Sequence, residues 1–400
     1  GKYLEHARNR LKASVFTIGL KGHTSLNNHN ISYGMEYRHQ SVYDRSSEWE
    51  MRDSAGYALP NMGNQIKMVY NLMSHNDLST NKISLYAQDT YKLMTGIGLF
   101  SFNGGIRMSY WDFNKEFLIS PRVSIGFIPE GNSRIALRLA GGLYYQSPFY
   151  KEMRLTETDN NGNSYQRLNS DIKPQRSVQL IVGGDYTFRA MDRPFKLTAE
   201  AYYKNLSNLI PYELDNLKLV YAGTNSSKGF ITGIDFKLFG QFVPGTDSWV
   251  SFSLMKTQET LNGVKVPRPT DQRYSLGLFF TDYFPKFPKL KFSLRGIFSD
   301  GFPMTAPQVT RDVAYMRAPA YKRLDIGFQY QLLGGETSGV RPYNFWRHFK
   351  NIWVGIDVFN LLGISNVSSY YWVTDVNNLQ YGVPNYLTGR QFNVSLSVSF

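Results

Sequence analysis

The chain has 400 residues, enough for two or three ordinary domains or for one large repetitive one. Its 44 Lys+Arg against 31 Asp+Glu give a net charge of +13, yet the bases are scattered with no dense run. That argues against nucleic acid as a partner and for solvated charges in loops, in a lumen or beside anionic lipid. The lack of cysteine excludes disulfides and thiolate chemistry, and at a mean hydropathy of −0.35 no stretch approaches the ~18 apolar residues of a spanning helix.

The chain opens on Gly1 with no charged-then-apolar leader, so it reads as a fragment or a processed product. From residue 10 onward, apolar and polar residues alternate with period 2, the pattern of strands with one oily and one wet face. Ile31, Tyr33, Met35 and Tyr37 oppose Ser32, Gly34, Glu36 and Arg38. Phe195, Leu197, Ala199, Ala201 and Tyr203 oppose Lys196, Thr198, Glu200 and Lys204. About fifteen strands are predicted, at 10–24, 30–43, 79–92, 98–113, 118–129, 133–146, 174–188, 195–208, 226–242, 248–258, 268–283, 289–300, 317–331, 350–362 and 385–400. Many reach a dozen residues, longer than the average strand of about 5–6 and suited to membrane strands of about 9–11. The last alternates without a miss: Phe392, Val394, Leu396, Val398 and Phe400 on one face, Gln391, Asn393, Ser395, Ser397 and Ser399 on the other. A chain ending on such a strand, with an aromatic at its end, resembles the assembly signal of bacterial outer-membrane barrels.

The connections alternate as well. Short turns are predicted at 25–29, 93–97, 130–132, 189–194, 243–247 and 284–288, and longer loops at 44–78, 147–173, 209–225, 259–267, 301–316 and 363–384. Only 114–117 and 332–349 break the pattern. Short turns on one side and long loops on the other mark an outer-membrane barrel, with Phe400 at the periplasmic end. The expected fold is therefore all-β, a transmembrane antiparallel β-barrel forming one domain over residues 1–400. Bacterial single-chain barrels have an even strand number, so fifteen points to the C-terminal part of a larger barrel, truncated at its N-terminus. In the 332–349 exception, the aromatics and bases of Arg341 to Lys350 suit either a short interfacial helix or an irregular turn at the rim.

Several stretches carry a family resemblance: Ile119-Ser120-Pro121-Arg122, Ile172 to Ser177, Tyr202 to Leu206, Phe242 to Trp249, Pro267-Arg268-Pro269-Thr270-Asp271-Gln272-Arg273, Arg317 to Tyr321 and Val358 to Leu361. With the closing strand they cover about three quarters of the chain. As a set it resembles the barrel of TonB-dependent outer-membrane receptors, in particular the Bacteroidetes type with a carboxypeptidase-regulatory-like N-terminal domain. The resemblance implies a 22-stranded barrel with a plugged lumen, a plug domain and a TonB-contacting segment that this sequence lacks, and uptake of a scarce solute driven from the inner membrane. Physically the same residues are mostly barrel builders. Pro267 and Pro269 sit at a loop-to-strand boundary, where missing amide donors cost least, and Val243-Pro244-Gly245-Thr246-Asp247 has turn chemistry.

No catalytic chemistry is legible. His6, His23, His29, His39, His75 and His348 form no defensible metal-ligand spacing, and no nucleophile elbow or phosphate loop appears. We therefore expect no enzyme, metal or cofactor. Binding is the better expectation. Tyr144, Tyr145 and Phe149 at the base of one long loop, and Tyr370, Tyr371 and Trp372 in another, either stack on a solute at the mouth or belong to the upper aromatic girdle and to loop packing. Arg138, Lys196, Glu200, Asp235, Lys237, Arg323, Asp325 and Asp357 are candidates for a polar lumen network, facing a plug or pairing across neighbouring strands.

The function expected is energy-coupled uptake of a siderophore, glycan, peptide or similar nutrient across the bacterial outer membrane. Partners would be outer-membrane lipid and lipopolysaccharide, TonB through the missing plug segment, and a surface lipoprotein. An unplugged pore or a scaffold barrel is the alternative, and a soluble β-sandwich adhesin a third reading.

Overall fold

The computed structural model describes residues 3–53, 66–160, 163–215, 218–243, 246–284, 286–307, 309–334, 349–374 and 379–400. Fifteen strands build one wall. They are β1 Arg10–Leu26, β2 His29–Asp53, β3 Ile66–Thr95, β4 Gly98–Trp111, β5 Glu116–Pro129, β6 Ile135–Gln146, β7 Gln175–Ala190 and β8 Arg193–Leu209. The wall continues through β9 Ser227–Val243, β10 Thr246–Leu261, β11 Tyr274–Phe284, β12 Phe287–Ser299, β13 Tyr321–Leu333, β14 Asn351–Phe359 and β15 Gln391–Ser399. Each is antiparallel to the next, so the sheet is an up-and-down meander from β1 to β15. Among the described residues, β15 is paired only to β14.

Alternation decides which row faces where. Val178, Leu180 and Val182 on β7, and Val394 and Leu396 on β15, are all more than 40 % exposed. No second sheet covers these rows among the described residues. In water such a belt would be an unpaired apolar surface far larger than monomers carry, and lipid is the solvent that satisfies it. A soluble sandwich would have buried these side chains, so that reading falls.

All fifteen predicted strands are present, but the loop expected at 44–78 is largely strand. β2 and β3 have 25 and 30 residues. At roughly 3.3 Å per residue they reach about 80–100 Å, well beyond an apolar band of about 25 Å. Their paired ends project above the membrane, where Tyr3–Ala7 adds a strand to β2 and Ser164–Leu168 joins β3 in parallel. Above the membrane neither face needs to be oily, so the alternation that reveals a membrane strand stops while backbone pairing continues.

Three other boundaries move. The predicted loop 259–267 contains a hairpin, β10 against Val264–Pro267, turning on Asn262 and Gly263 at φ 49° and 84°. The strand predicted from 268 starts at Tyr274, because residues 268–273 bulge away to make side-chain bonds described below. The loop predicted at 363–384 likewise holds a hairpin, Val367–Thr374 against Gln380–Tyr386. The helix or turn expected at 341–350 lies outside the described residues up to 348. Phe349 is described and rests its ring 5.1 Å from Phe400. The Pro244-Gly245 core of the other expected turn also lies outside them.

Candidate functional site

The wet row of the wall carries the charges, and the strand register determines which of them meet. Arg138 on β6 and Glu200 on β8 both lie opposite Gly183 on β7. A Cβ at Gly183 would stand 2.8 Å from the Glu200 side chain, so glycine leaves the gap through which Arg138 reaches Glu200 at 3.0 Å. Arg138 also holds Asp185 at 2.5 Å, and Asp185 binds Lys196 at 3.1 Å and accepts from Thr198 at 2.7 Å. Asp185 is thus the hub that joins three of the expected lumen residues, and sequence reading passed over it. Its place in the wet row of β7 was the available signal.

The eight candidates share the wet row but do not form one network. Arg323 and Asp325, neighbours on one face of β13, pair with each other at 2.8 Å, and Asp325 accepts from the Asn360 amide at 2.8 Å. Asp235, Lys237 and Asp357 make no ion pair among the described residues. Asp235 faces like-charged Glu200 across the ladder, Lys237 lies 6.0 Å over the Trp249 ring, and Asp357 stands between Gly327 and Asn393. Charges on one face pair only when the register brings them within about 4 Å, which composition cannot reveal.

Above the wall, the loop after β6 turns through a 3₁₀ segment, Tyr150–Met153, and packs onto the projecting strands. Met153, Ile172 and Ile210 join Val42, Leu78 and Trp111 in an apolar cluster. Tyr150 donates its hydroxyl to Asp44 at 2.8 Å, and Arg154 reaches the same carboxylate at 3.3 Å. Burial and the Asp44 charge push the Tyr150 phenol well above its ordinary range. Glu152 turns the other way, into a cavity of about 380 Å³ bordered also by Tyr144, Gln175, Gln179, Tyr212 and Arg268. The carboxylate accepts from the Phe149 amide at 3.1 Å and from Gln175 Nε2 at 3.0 Å. Burial nevertheless raises it above the usual carboxylate value.

Of the candidate aromatics, Tyr144 and Tyr145 both border this cavity, and the Arg122 guanidinium lies 4.4 Å over the Tyr144 ring. Phe149 is half exposed and meets Tyr221 edge-on at 5.3 Å. Tyr370 and Trp372 share one face of the Val367–Thr374 hairpin, 6.1 Å apart, while Tyr371 is 68 % exposed on the other. No described ring contact joins this hairpin to the Tyr144 group.

Tyr212 and Arg268 connect the cavity to a charged cluster. Arg311, in the loop after β12, is 2 % exposed and lies 2.7 Å from Glu259 and 3.0 Å from Glu213, and it donates to the carbonyls of Pro267 and Tyr212. Beside it, the bulge 268–273 forms a latch. Asp271 accepts from the Thr257 amide at 2.6 Å, replacing a ladder bond, and pairs with Arg317. Arg317 also reaches Asp300 at 3.2 Å, and Arg273 binds Asp300 at 2.6 Å. The Arg273 guanidinium holds the Asp300 carboxyl below its ordinary range. The Pro267–Arg273 motif is therefore the anchor of the loop over the mouth. Arg311 and Asp300 gave no sign of this in sequence, since a lone charge in a loop looks solvated.

A transmembrane antiparallel wall with a polar inner row, short turns at one end and folded loops above a cavity at the other defines an outer-membrane receptor barrel. A family model described as TonB-dependent receptor-like β-barrel matches residues 6–361, and the chain belongs to that family. No curated protein matches the sequence. Among solved structures it is similar to the ferric yersiniabactin uptake receptor FyuA of Yersinia pestis, at 12% identity and TM-score 0.63 over 100% of this chain and 56% of that one. A ferric enterobactin receptor (PfeA) mutant of Pseudomonas aeruginosa in complex with enterobactin matches at 16% and 0.63 over 98% and 55%, and the copper transporter OprC at 13% and 0.66 over 98% and 57%. At these identities the likeness speaks for the fold. The chain spans little more than half the length of these receptors.

Proposed function

We propose that these residues form the lumen wall and outer mouth of an energy-coupled importer, in which a scarce solute binds above the lumen and passes inward when a plug is shifted through TonB. The observation that supports this most is the cavity over β6–β8, where Tyr144, Glu152, Tyr212 and Arg268 converge beneath folded loops. Aromatic faces with a few convergent polar groups are the usual make-up of a solute site. The names of the similar receptors, which concern ferric siderophores and copper, make metal chelates the first cargo to assay, with glycans and peptides next. The Bacteroidetes type with its N-terminal domain and plug rests on the motifs Phe242 to Trp249 and Pro267 to Arg273, and a surface lipoprotein would be the partner in the scaffold reading.

Uptake by cells carrying and lacking the gene, with and without a protonophore, tests the proposal. Import that needs both the gene and the proton gradient is expected. Steady ion conductance by the purified protein in planar bilayers, with no energy requirement for uptake, would identify a pore instead. Within the site, Tyr144→Ala and Arg268→Ala should each weaken binding of the cargo about tenfold or more, while heat-modifiable migration stays normal.

A further inference from the structure

We propose that the short-turn rim carries a binding site for an anionic phospholipid of the periplasmic leaflet, made by Arg134, Arg189, Tyr186, Phe188 and Leu197. These five residues border a shallow cleft of about 640 Å³ at the lower ends of β6, β7 and β8. The proposal does not depend on what the lumen carries.

The cleft brings an amphiphile's two environments side by side. Tyr186 lies opposite Leu197, and both belong to the lipid-facing row, 44 % and 37 % exposed. Below Tyr186 comes Phe188, its ring stacked at 5.5 Å and 18°, and Phe188 in turn stacks on Phe195 at 5.6 Å and 18°. This column gives acyl chains a rigid wall at the depth where aromatic girdles sit. The cations stand at its foot. Thr187 donates its amide to the Arg134 carbonyl at 2.8 Å, which ties the 130–134 turn to β7, and Arg189 follows two residues below Thr187; by register both arginines continue the wet row of Arg138 and Asp185, and they border the cleft at the end of the sheet.

Both arginines are exposed, and neither makes an ion pair among the described residues. Glu130 and Asp192 occupy the same two turns, yet no salt bridge takes either arginine out of play. Two guanidiniums at headgroup depth suit a phosphodiester, whose oxygens accept their forked donors. A lipid with its own ammonium would bring a cation toward two others, so the site favours a headgroup of net negative charge. The short-turn end commits the site to the periplasmic leaflet, because long loops mark the other.

The test uses the receptor extracted in mild detergent from its own outer membrane. Native mass spectrometry would compare added phosphatidylglycerol with phosphatidylethanolamine of the same acyl chains. A preference for phosphatidylglycerol of roughly tenfold is expected, falling to parity in the Arg134→Gln/Arg189→Gln variant and kept in large part by Arg134→Lys/Arg189→Lys. Heat-modifiable migration verifies that each variant is folded, and the Lys variant keeps the test open if the Gln variant is not. Equal binding of the two lipids by the natural protein, or an unchanged preference in the Gln variant, would overturn the proposal. So would displacement of the lipid by soluble glycerol phosphate at matching concentration, since the headgroup would then suffice without its chains.

Discussion

At the scale of single residues, what matters is whether a charge has a partner within reach. Arg311 and Glu259 are both almost wholly buried, and each is the other's nearest opposite charge. Arg311→Met should cost about 3 kcal/mol by leaving buried Glu259 with only Arg268, 3.8 Å away, and the Ser227 hydroxyl, and adding Glu259→Leu should recover part of the loss; thermal unfolding of the four proteins of the cycle in detergent checks both. The Asp185 hub is more exposed to the lumen through Arg138 and Lys196. Its loss should be milder, about 1–2 kcal/mol for Asp185→Asn, read from the same melting curves. That Gly183 sits between Arg138 and Glu200 is an instance of register turning a residue with no side chain into part of a charged site.

At the scale of elements, turns and latches set the local stability. The β7–β8 hairpin turns on Met191 and Asp192, both in the left-handed region at φ 52° and 58°. A side chain there costs about 1–2 kcal/mol, so Met191→Gly should stabilise the protein by roughly 1 kcal/mol, visible as a higher melting temperature. The latch around Asp271 and Asp300 should respond to acid. Because Arg273 and Arg317 hold Asp300 below its ordinary value of 3.8, its contribution is complete above that value and is lost as the pH falls through the lower, folded-state value. Protease cleavage in the loop 300–316 should therefore rise only in strong acid, below about pH 4, and Arg317→Ala should bring cleavage to neutral pH. Glu152 has the opposite sign: burial raises its folded value above 4.5, so its cost is present at neutral pH and vanishes as the pH falls below 4.5.

At the scale of the whole molecule, the two faces of the wall obey different solvents. Leu396→Arg puts a cation on the lipid face of β15 and should cost about 2–4 kcal/mol near the bilayer centre. Ser395→Arg, one residue away on the wet face, should cost little. The fraction of protein showing heat-modifiable migration after assembly distinguishes the two, and equal defects would mean that the faces are misassigned. The orientation follows from the same asymmetry: turns as short as Asn27-Asn28 and Met191-Asp192 at one end, and a cavity, an apolar cluster and a charged latch in the loops at the other.

Strict period-2 alternation, strand length and the rhythm of short and long connections determined the barrel from sequence alone, because lipid on one side and water on the other leave a mark on every second residue. That mark ends where the membrane ends. The tertiary structure alone revealed that β2 and β3 continue far above it, since pairing of two wet strands needs no apolar row. It alone separated the lumen charges into the Asp185 hub, the Arg323–Asp325 pair and unpaired residues, because contact depends on register between strands. And it alone brought Arg268, Asp271, Asp300, Arg311 and Arg317 together, residues spread over about fifty positions whose partnership exists only once the loops have folded over the mouth.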